Sequence, residues 1–486
     1  MDDYKKRAVA MLLDRNILVT PEMLSKIKEF GPDGSGNIDL VAKEAMAEIF
    51  ASPQQPQLPA HGMREQGNAN IDVVFSYSAL PKKRECQDFV AYFNSRFRQI
   101  ERLLASRPEM HGITTISRLK FANERENVAV IGMIADKQVT KNGNIMLTVE
   151  DQTGTVRVLA SKSNQNAFIA AKDCVLDEVI GVTGTSKGAV FASRILLPEI
   201  PMKDVKKSPD EGYAIFLSDL HVGSANFLYD DFARFLKWIN GMIGSAEQRE
   251  VAGKVKYVLI AGDVVDGGGI YPDQEKELEI KDVYEQYAQC AELLSRIPAD
   301  KKIIIAPGNH DAMRISEPQP AFYGEIASPL LKLPNIYPVS NPAFVNIDRS
   351  PGFPGIGVLL YHGYSFDYYV ANVDSIRAKG GYDRADLIMK FLLQRRHLAP
   401  SHSSTLYLPD ATDNLVISNV PDIFATGHIH RASVSNYRHV TLISSSCWQA
   451  KTSFQERLGH NPQPARVPIV NLKTREAKIL NFRGQA

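Results

Sequence analysis

Five times in the second half of the chain, a short apolar run ends in a cluster of Asp, Asn or His. Tyr213 to Leu217 leads into Ser218-Asp219-Leu220-His221, Tyr257 to Ala261 into Gly262-Asp263, and Ile303 to Ala306 into Pro307-Gly308-Asn309-His310-Asp311. Val358 to Tyr361 leads into His362-Gly363, and Ile423 to Thr426 into Gly427-His428-Ile429-His430. Apolar runs without alternation are what strands buried on both faces require, and layered α/β folds place their active sites at the carboxyl ends of such strands. A single Asp-x-His is ordinarily a surface or capped pair. Together these ends collect oxygen donors (Asp219, Asp263, Asn309) and imidazoles (His221, His362, His428, His430), with no thiolate among them. Such a set suits Mn²⁺, Fe or Zn²⁺ held for catalysis rather than a structural zinc.

The chemistry that calls for this set is phosphate-ester hydrolysis. A phosphodiester is anionic and repels nucleophiles, and water at neutral pH is a poor one. Two cations roughly 3.5–4 Å apart neutralise the phosphate and activate water. One carboxylate must lie between them, and a further protonatable group near the phosphate assists the leaving oxygen.

The chain has 486 residues, more than one hydrophobic core sustains, so several domains are expected. Residues 1–50 read as a helical module: Thr20-Pro21 starts a helix, Met23, Leu24, Ile27 and Phe30 share a face, and Gly31-Pro32 ends it. The Pro-, Gln- and Gly-rich stretch that follows reads as a flexible linker over 51–75. From Cys86 to Leu104, Phe89, Tyr92, Phe93, Phe97, Ile100 and Leu104 keep helical spacing, with Arg96, Arg98, Glu101 and Arg102 opposite. That face is either the solvated side of a packed helix or a nucleic-acid contact. Between 126 and 200, short strands joined by an Asn-Gly turn and the Asp151–Gly154 turn predict hairpins of a small barrel. The string LTVEDQTGTVRV resembles the central hairpin of OB-folds, but only Phe168 and Phe191 could supply an aromatic platform for bases.

Composition narrows the classes further. The 56 basic and 55 acidic residues leave a net charge of +1, which gives no overall field for DNA or anionic membrane. The four scattered cysteines form no CxxC pair, which argues against a disulfide framework and fits a reducing cytoplasm. No apolar run approaches the ~20 residues of a membrane span, and the N-terminus does not read as a signal peptide.

The ordered set SDLH, GD, GNHD, HG and GHIH resembles the calcineurin-like metallophosphoesterase superfamily over residues 213 to about 450. That resemblance implies a four-layer αββα domain over 206–486. It implies one metal held by Asp219, His221, Asp263 and His430, and a second by Asp263, Asn309, His362 and His428, with Asp263 bridging. His310 would contact the phosphate as the catalytic acid. The strings GDVVDGGGIYP (262–272), APGNHDAMRISEPQPAF (306–322), QRRHLAP (394–400) and SSCWQAKTSFQ (445–455) resemble the small-subunit family of archaeal D-family DNA polymerases. So does the order of parts: helical module, linker, OB-fold domain (76–205), phosphoesterase domain. The family is similar to the double-strand-break repair nuclease, which has a histidine three residues beyond its GD aspartate; here that position is Asp266. It is also similar to eukaryotic polymerase B-subunits, which generally lose the metal ligands kept here.

The resemblance implies a proofreading 3′→5′ exonuclease subunit that uses two divalent ions, Mn²⁺ first. It also implies a large catalytic polymerase subunit as partner and single-stranded or frayed DNA ends as substrate. A phosphatase or cyclic-nucleotide phosphodiesterase, and a catalytically silent scaffold, are the alternatives. The chain has no GxxxxGK[ST] loop, and its charge balance offers little grip on DNA, so the partner would hold the substrate. Three strings stay open between two roles. Trp448 is a core anchor or an interface residue. Gln394-Arg395-Arg396-His397 is a solvated helix end or a DNA-backbone contact. Gly267-Gly268-Gly269 is a simple turn or a place for DNA to approach the metals.

Overall fold

The computed structural model describes residues 70–79, 82–121, 126–457 and 459–484. The helical module expected over 1–50, and the expected linker as far as residue 69, lie outside the described residues. Strand β1 (Ile71–Ser76) and helix α1 (Cys86–Ala105) come first. Five strands then follow: β2 (Asn127–Val139), β3 (Ile145–Asp151), β4 (Gly154–Ala160), β5 (Val179–Ser186) and β6 (Val190–Leu196), with helix α2 (Gln165–Lys172) after β4. They close into a barrel in the order β2-β3-β4-β6-β5, as the turn signals predict for an OB-like fold. Asp151 builds the β3–β4 turn by accepting from the backbone N–H groups of Thr153 (2.7 Å) and Gly154 (3.0 Å). Phe191, 42% exposed, stands on the barrel's outer face, whereas Phe168 packs against its core. The aromatic platform on the barrel is therefore thin.

Two six-stranded sheets make up the rest. One runs β10 (Ile336–Pro338), β9 (Lys302–Ala306), β8 (Val255–Ala261), β7 (Tyr213–Leu217), β16 (Arg466–Asn471), β17 (Ala477–Asn481). The other runs β1, β11 (Ala343–Ile347), β12 (Ile356–Leu360), β13 (Ile423–Thr426), β15 (Val440–Ser444), β14 (Ser433–Tyr437). Strand β8 shows why these runs are uniformly apolar. Leu259 and Ala261 face the core between the sheets with Val358, Leu360, Ile423 and Ala425. Val258 and Ile260 point the other way, toward helices α3 (Tyr229–Ile239) and α4 (Val283–Ser295). The outer face of the second sheet is covered by α5 (Phe366–Asn372) and α6 (Ala385–Arg395), through Phe366, Tyr369, Ile388 and Leu392. This is the four-layer αββα arrangement. Trp448 is 1% exposed and packs edge-on against Phe232, with ring centroids 4.9 Å apart, so it is a core anchor and not an interface residue.

Three expectations change. The linker is expected to reach residue 75, yet residues 71–76 form β1, which pairs antiparallel with β11 through Ile71↔Ile347 and Val73↔Val345. Arg96 does not sit on a solvated face. It is 1% exposed, and its Nε donates to Asp413 Oδ2 at 2.7 Å. The Gln394–His397 string is likewise neither solvated nor free for DNA, because Arg395, Arg396 and His397 are buried. Arg395 pairs with Glu178 and donates to the Asp173 carbonyl at 2.7 Å, both in the barrel domain. Arg396 donates to the carbonyls of Ile417 and Ser418, each at 2.8 Å. The physical reason is that these polar groups find buried partners that solvent would otherwise supply: carboxylates for Arg96 and Arg395, and backbone carbonyls for Arg396. Helix α1 straddles that seam, with Tyr92 in the core over the second sheet and Phe97, Ile100 and Leu104 against barrel residues Ala129, Ile131 and Val179.

Candidate metal centre

The parallel neighbours β7, β8 and β9 end side by side, and so do β12 and β13 in the facing sheet. Their polar ends therefore meet at one rim, and backbone hydrogen bonds lace them together. Asp219 N–H donates to the Gly262 carbonyl (3.0 Å) and His221 N–H to the Asp263 carbonyl (3.1 Å). From the opposite sheet, His428 N–H donates to Asp219 Oδ2 at 2.9 Å. Turning side chains inward directly after a strand bends the backbone hard. Asp219, His221, Asp263, His428 and His430 all have left-handed φ, between 50° and 71°. Each such residue costs about 1–3 kcal/mol and persists only where its surroundings over-determine it. Gly308 is required for close approach, since a Cβ there would lie 2.2 Å from Asp263 Oδ1.

The donors form two touching groups. In the first, His430 Nε2 lies 3.2 Å and His221 Nε2 3.9 Å from Asp219 Oδ1, and the two nitrogens are 3.1 Å apart. In the second, His362 Nε2 lies 3.2 Å from Asp263 Oδ2 and 2.8 Å from Asn309 Oδ1, which is itself 3.1 Å from His428 Nδ1. Ligand atoms of Asp219, Asp263 and His362 lie within 4.8 Å of one another, which joins the groups. The two imidazole nitrogens lie at hydrogen-bond distance from each other beside the Asp219 carboxylate, an N and O donor set of the kind that holds a divalent cation. Burial alone would raise the Asp263 carboxyl, but the His362 and His310 imidazoles outweigh it and hold the group well below the usual carboxylate range. Burial would lower His362, but the Asp263 carboxylate pushes it up to about 10. Asp311 is pushed up to about 7, by burial first and then by the Asp263 charge. It accepts from the backbone N–H groups of Gly308 (2.8 Å) and Val264 (3.2 Å), tying the loops after β8 and β9. The residues present thus fit two adjacent cations.

A model of the calcineurin-like phosphoesterase family matches residues 214–432. The chain is 39% identical to the DNA polymerase II small subunit of Methanothermobacter thermautotrophicus over 476 residues, which cover 97% of this chain and 95% of that one. It is 41% identical to the namesake from Archaeoglobus fulgidus over 394 residues (80% and 76% of the two chains) and 38% identical to that of Pyrococcus abyssi over 481 residues (96% and 74%).

The chain belongs to the DNA polymerase II small-subunit family. Its phosphoesterase domain is that of a hydrolase and brings divalent metal ions with it. Among the described residues, no helix is long and apolar enough to cross a membrane.

In this member of the small-subunit family, the side chains around the donors are as ordered as the donors themselves. His310 keeps its ring 4.6 Å from that of His221 and its Nδ1 2.9 Å from the Asp266 carbonyl. Burial pushes its imidazole below the ordinary value. Asp266, known from the sequence only as a departure from the repair-nuclease pattern, has a defined place. Its Oδ1 receives His221 Nδ1 at 2.9 Å and Gln449 Nε2 at 3.1 Å, while Gln274 Nε2 donates to its carbonyl at 2.8 Å. This fixes the His221 tautomer with Nε2 toward Asp219. Gln455 Nε2 lies 3.0 Å from His430 Nδ1, and Asp367 Oδ2 lies 2.9 Å from His428 Nε2. Sequence reasoning missed the roles of Gln274, Gln449, Gln455 and Asp367, although Gln449 and Gln455 fall within the 445–455 string that carries the family resemblance. A Cβ at Gly267 would fall 2.1 Å from the His310 carbonyl oxygen, so its smallness seats His310, whereas a Cβ at Gly268 or Gly269 would meet nothing within 4 Å.

Proposed function

We propose that this chain is the 3′→5′ proofreading exonuclease subunit of a two-subunit replicative DNA polymerase, hydrolysing the terminal phosphodiester of single-stranded or frayed 3′ ends. The observation that carries this reading is the convergence of Asp219, His221, Asp263, Asn309, His362, His428 and His430, with every position a competent donor. A subunit kept only as a scaffold has no use for that convergence, nor for left-handed backbone at five of these positions.

Asp219, His221, Asp263 and His430 would hold one divalent cation and Asp263, Asn309, His362 and His428 the other, with Mn²⁺ the first candidate for both. When bound, the pair supplies charge neutralisation of the phosphate and activation of water. The chain's residues do the rest. Asp263, anionic and buried, sets the spacing of the two positions. Asp266 holds His221 and His310 in register through one side chain and one carbonyl. With Nδ1 committed to that carbonyl, His310 presents Nε2 to the phosphate, where its protonated form would donate the Nε2 proton to the departing 3′ oxygen. The chain's net charge of +1 offers few phosphate contacts, so the large catalytic subunit would hold the primer–template and deliver the frayed end.

The test uses end-labelled single-stranded DNA in Mn²⁺, with the chain alone and with its large subunit. Weak, salt-sensitive shortening from the 3′ end by the chain alone, rising on addition of the partner, is expected. Asp263→Asn should abolish it, because an amide cannot balance two cations. Wild-type turnover by Asp263→Asn would refute the two-cation reading.

A further inference from the structure

The ring of His428 is held differently from the other imidazoles at the rim. His221 directs Nδ1 to Asp266 Oδ1 at 2.9 Å, and His362 directs Nδ1 to the Ala261 carbonyl at 2.7 Å, so both present Nε2 inward. His428 is reversed: Nδ1 faces Asn309 Oδ1 at 3.1 Å, and Nε2 points outward to Asp367 Oδ2 at 2.9 Å. An imidazole can offer its inner nitrogen to a cation only if its outer nitrogen carries the proton and has somewhere to donate it. Asp367 is the acceptor. It lies on α5, five positions after His362, so one chain segment supplies both a second-group donor and the brace for its neighbour. Tyr364 packs its ring edge-on against His428, with centroids 5.8 Å apart.

We infer that Asp367 is the positioning residue of the second cation site, holding His428 in the tautomer that leaves Nδ1 free for the ion. The inference rests on the two-cation reading above. It assigns Asp367 no contact with the ion and no part in the proton transfers of hydrolysis. Its loss acts on one site alone, because the first group is braced independently through His221 by Asp266.

The test is titration of the full-length chain with Mn²⁺ alone, read by calorimetry and by the electron paramagnetic resonance signal of coupled Mn²⁺ pairs. The wild type should bind two ions and show the coupled signal. Asp367→Ala should keep one tight ion, bind the second 10–100-fold more weakly, the usual loss when such a brace is removed, and lose the coupled signal. Asp367→Asn, whose amide oxygen still accepts from Nε2–H, should restore the second ion to near wild-type affinity. Thermal melting of both variants without metal reports their folding separately. Two tight ions in Asp367→Ala, or equal weakness in Asp367→Asn and Asp367→Ala, would overturn the inference. A wild type that fails to bind two ions would overturn the two-cation reading on which it depends.

Discussion

Asp413 offers the most exacting test of how barrel and phosphoesterase domain are joined. It is buried and accepts four hydrogen bonds: from Arg96 Nε (2.7 Å), Tyr92 OH (2.7 Å), His397 Nε2 (2.8 Å) and the Leu415 amide (3.0 Å). Burial would raise its carboxyl, but His397 and Arg96 outweigh that and hold it well below the usual range. Asp413→Ala leaves the Arg96 guanidinium in the interior with the Pro400 carbonyl (2.7 Å) and the faces of Tyr92, Phe93 and Tyr407. An uncompensated buried charge of this kind costs about 3–5 kcal/mol, a large part of a domain's stability. Replacing both partners, as Arg96→Met with Asp413→Leu, should recover much of it, since apolar groups of similar volume often match a buried pair. Urea unfolding followed by circular dichroism gives the four corners of the cycle. A single-variant loss under ~1 kcal/mol, or losses that simply add in the double variant, would refute the reasoning. The same network predicts a pH dependence. His397 donates from Nε2 to Asp413 and accepts from the Ala399 amide at Nδ1 (2.9 Å), so the folded state holds it neutral, and burial pushes it down to about 4. The unfolded imidazole titrates near ~6.5. Between these values the unfolded state binds the extra proton, so this contribution is complete above ~6.5 and is lost as pH falls toward 4, by an amount on the order of 3 kcal/mol. His397→Gln should flatten that part of the urea-midpoint profile. An unchanged profile would show that another group sets it.

Two further outcomes concern the candidate site. His310→Ala should bind Mn²⁺ like the wild type while turnover on end-labelled DNA falls by roughly 10²–10⁴-fold, and loss of a metal ion in calorimetry would make His310 a ligand instead. Gly267→Ala places a Cβ 2.1 Å from the His310 carbonyl oxygen at a φ of 69°, so the loop must shift. Turnover should drop by about 10²-fold with both ions retained, and wild-type turnover would show that His310 needs no such seat.

Which of these residues were legible before the structure follows from where their partners lie. The donors stand at strand ends, and their surroundings are local: an apolar run, a small residue, then the polar side chain. Strand type, strand end and donor identity can all be read within ten or so positions, and the order of the strings supplies the rest through family likeness. The braces have no such signature. Asp266 meets Gln449 across 183 positions, Asp367 meets His428 across 61, and Arg96 meets Asp413 across 317. Hydrophobic periodicity reports which face of α1 is apolar, but it cannot report that one arginine beside that face finds a buried carboxylate. The default for a polar string is therefore solvent, and at Arg96 and at Arg395-Arg396-His397 that default fails. The same reasoning covers β1, whose Ile71, Val73 and Phe75 look like the end of a linker until β11 provides an edge to pair with. Glutamine shows the principle most clearly. Gln274, Gln449 and Gln455 carry no sign of their role in residue type or spacing, yet each contacts Asp266 or His430 in the ring of groups around the donors. Residues that would touch the ions announce themselves by type and position, whereas those that hold them at the right angle are visible only once the chain has closed on itself.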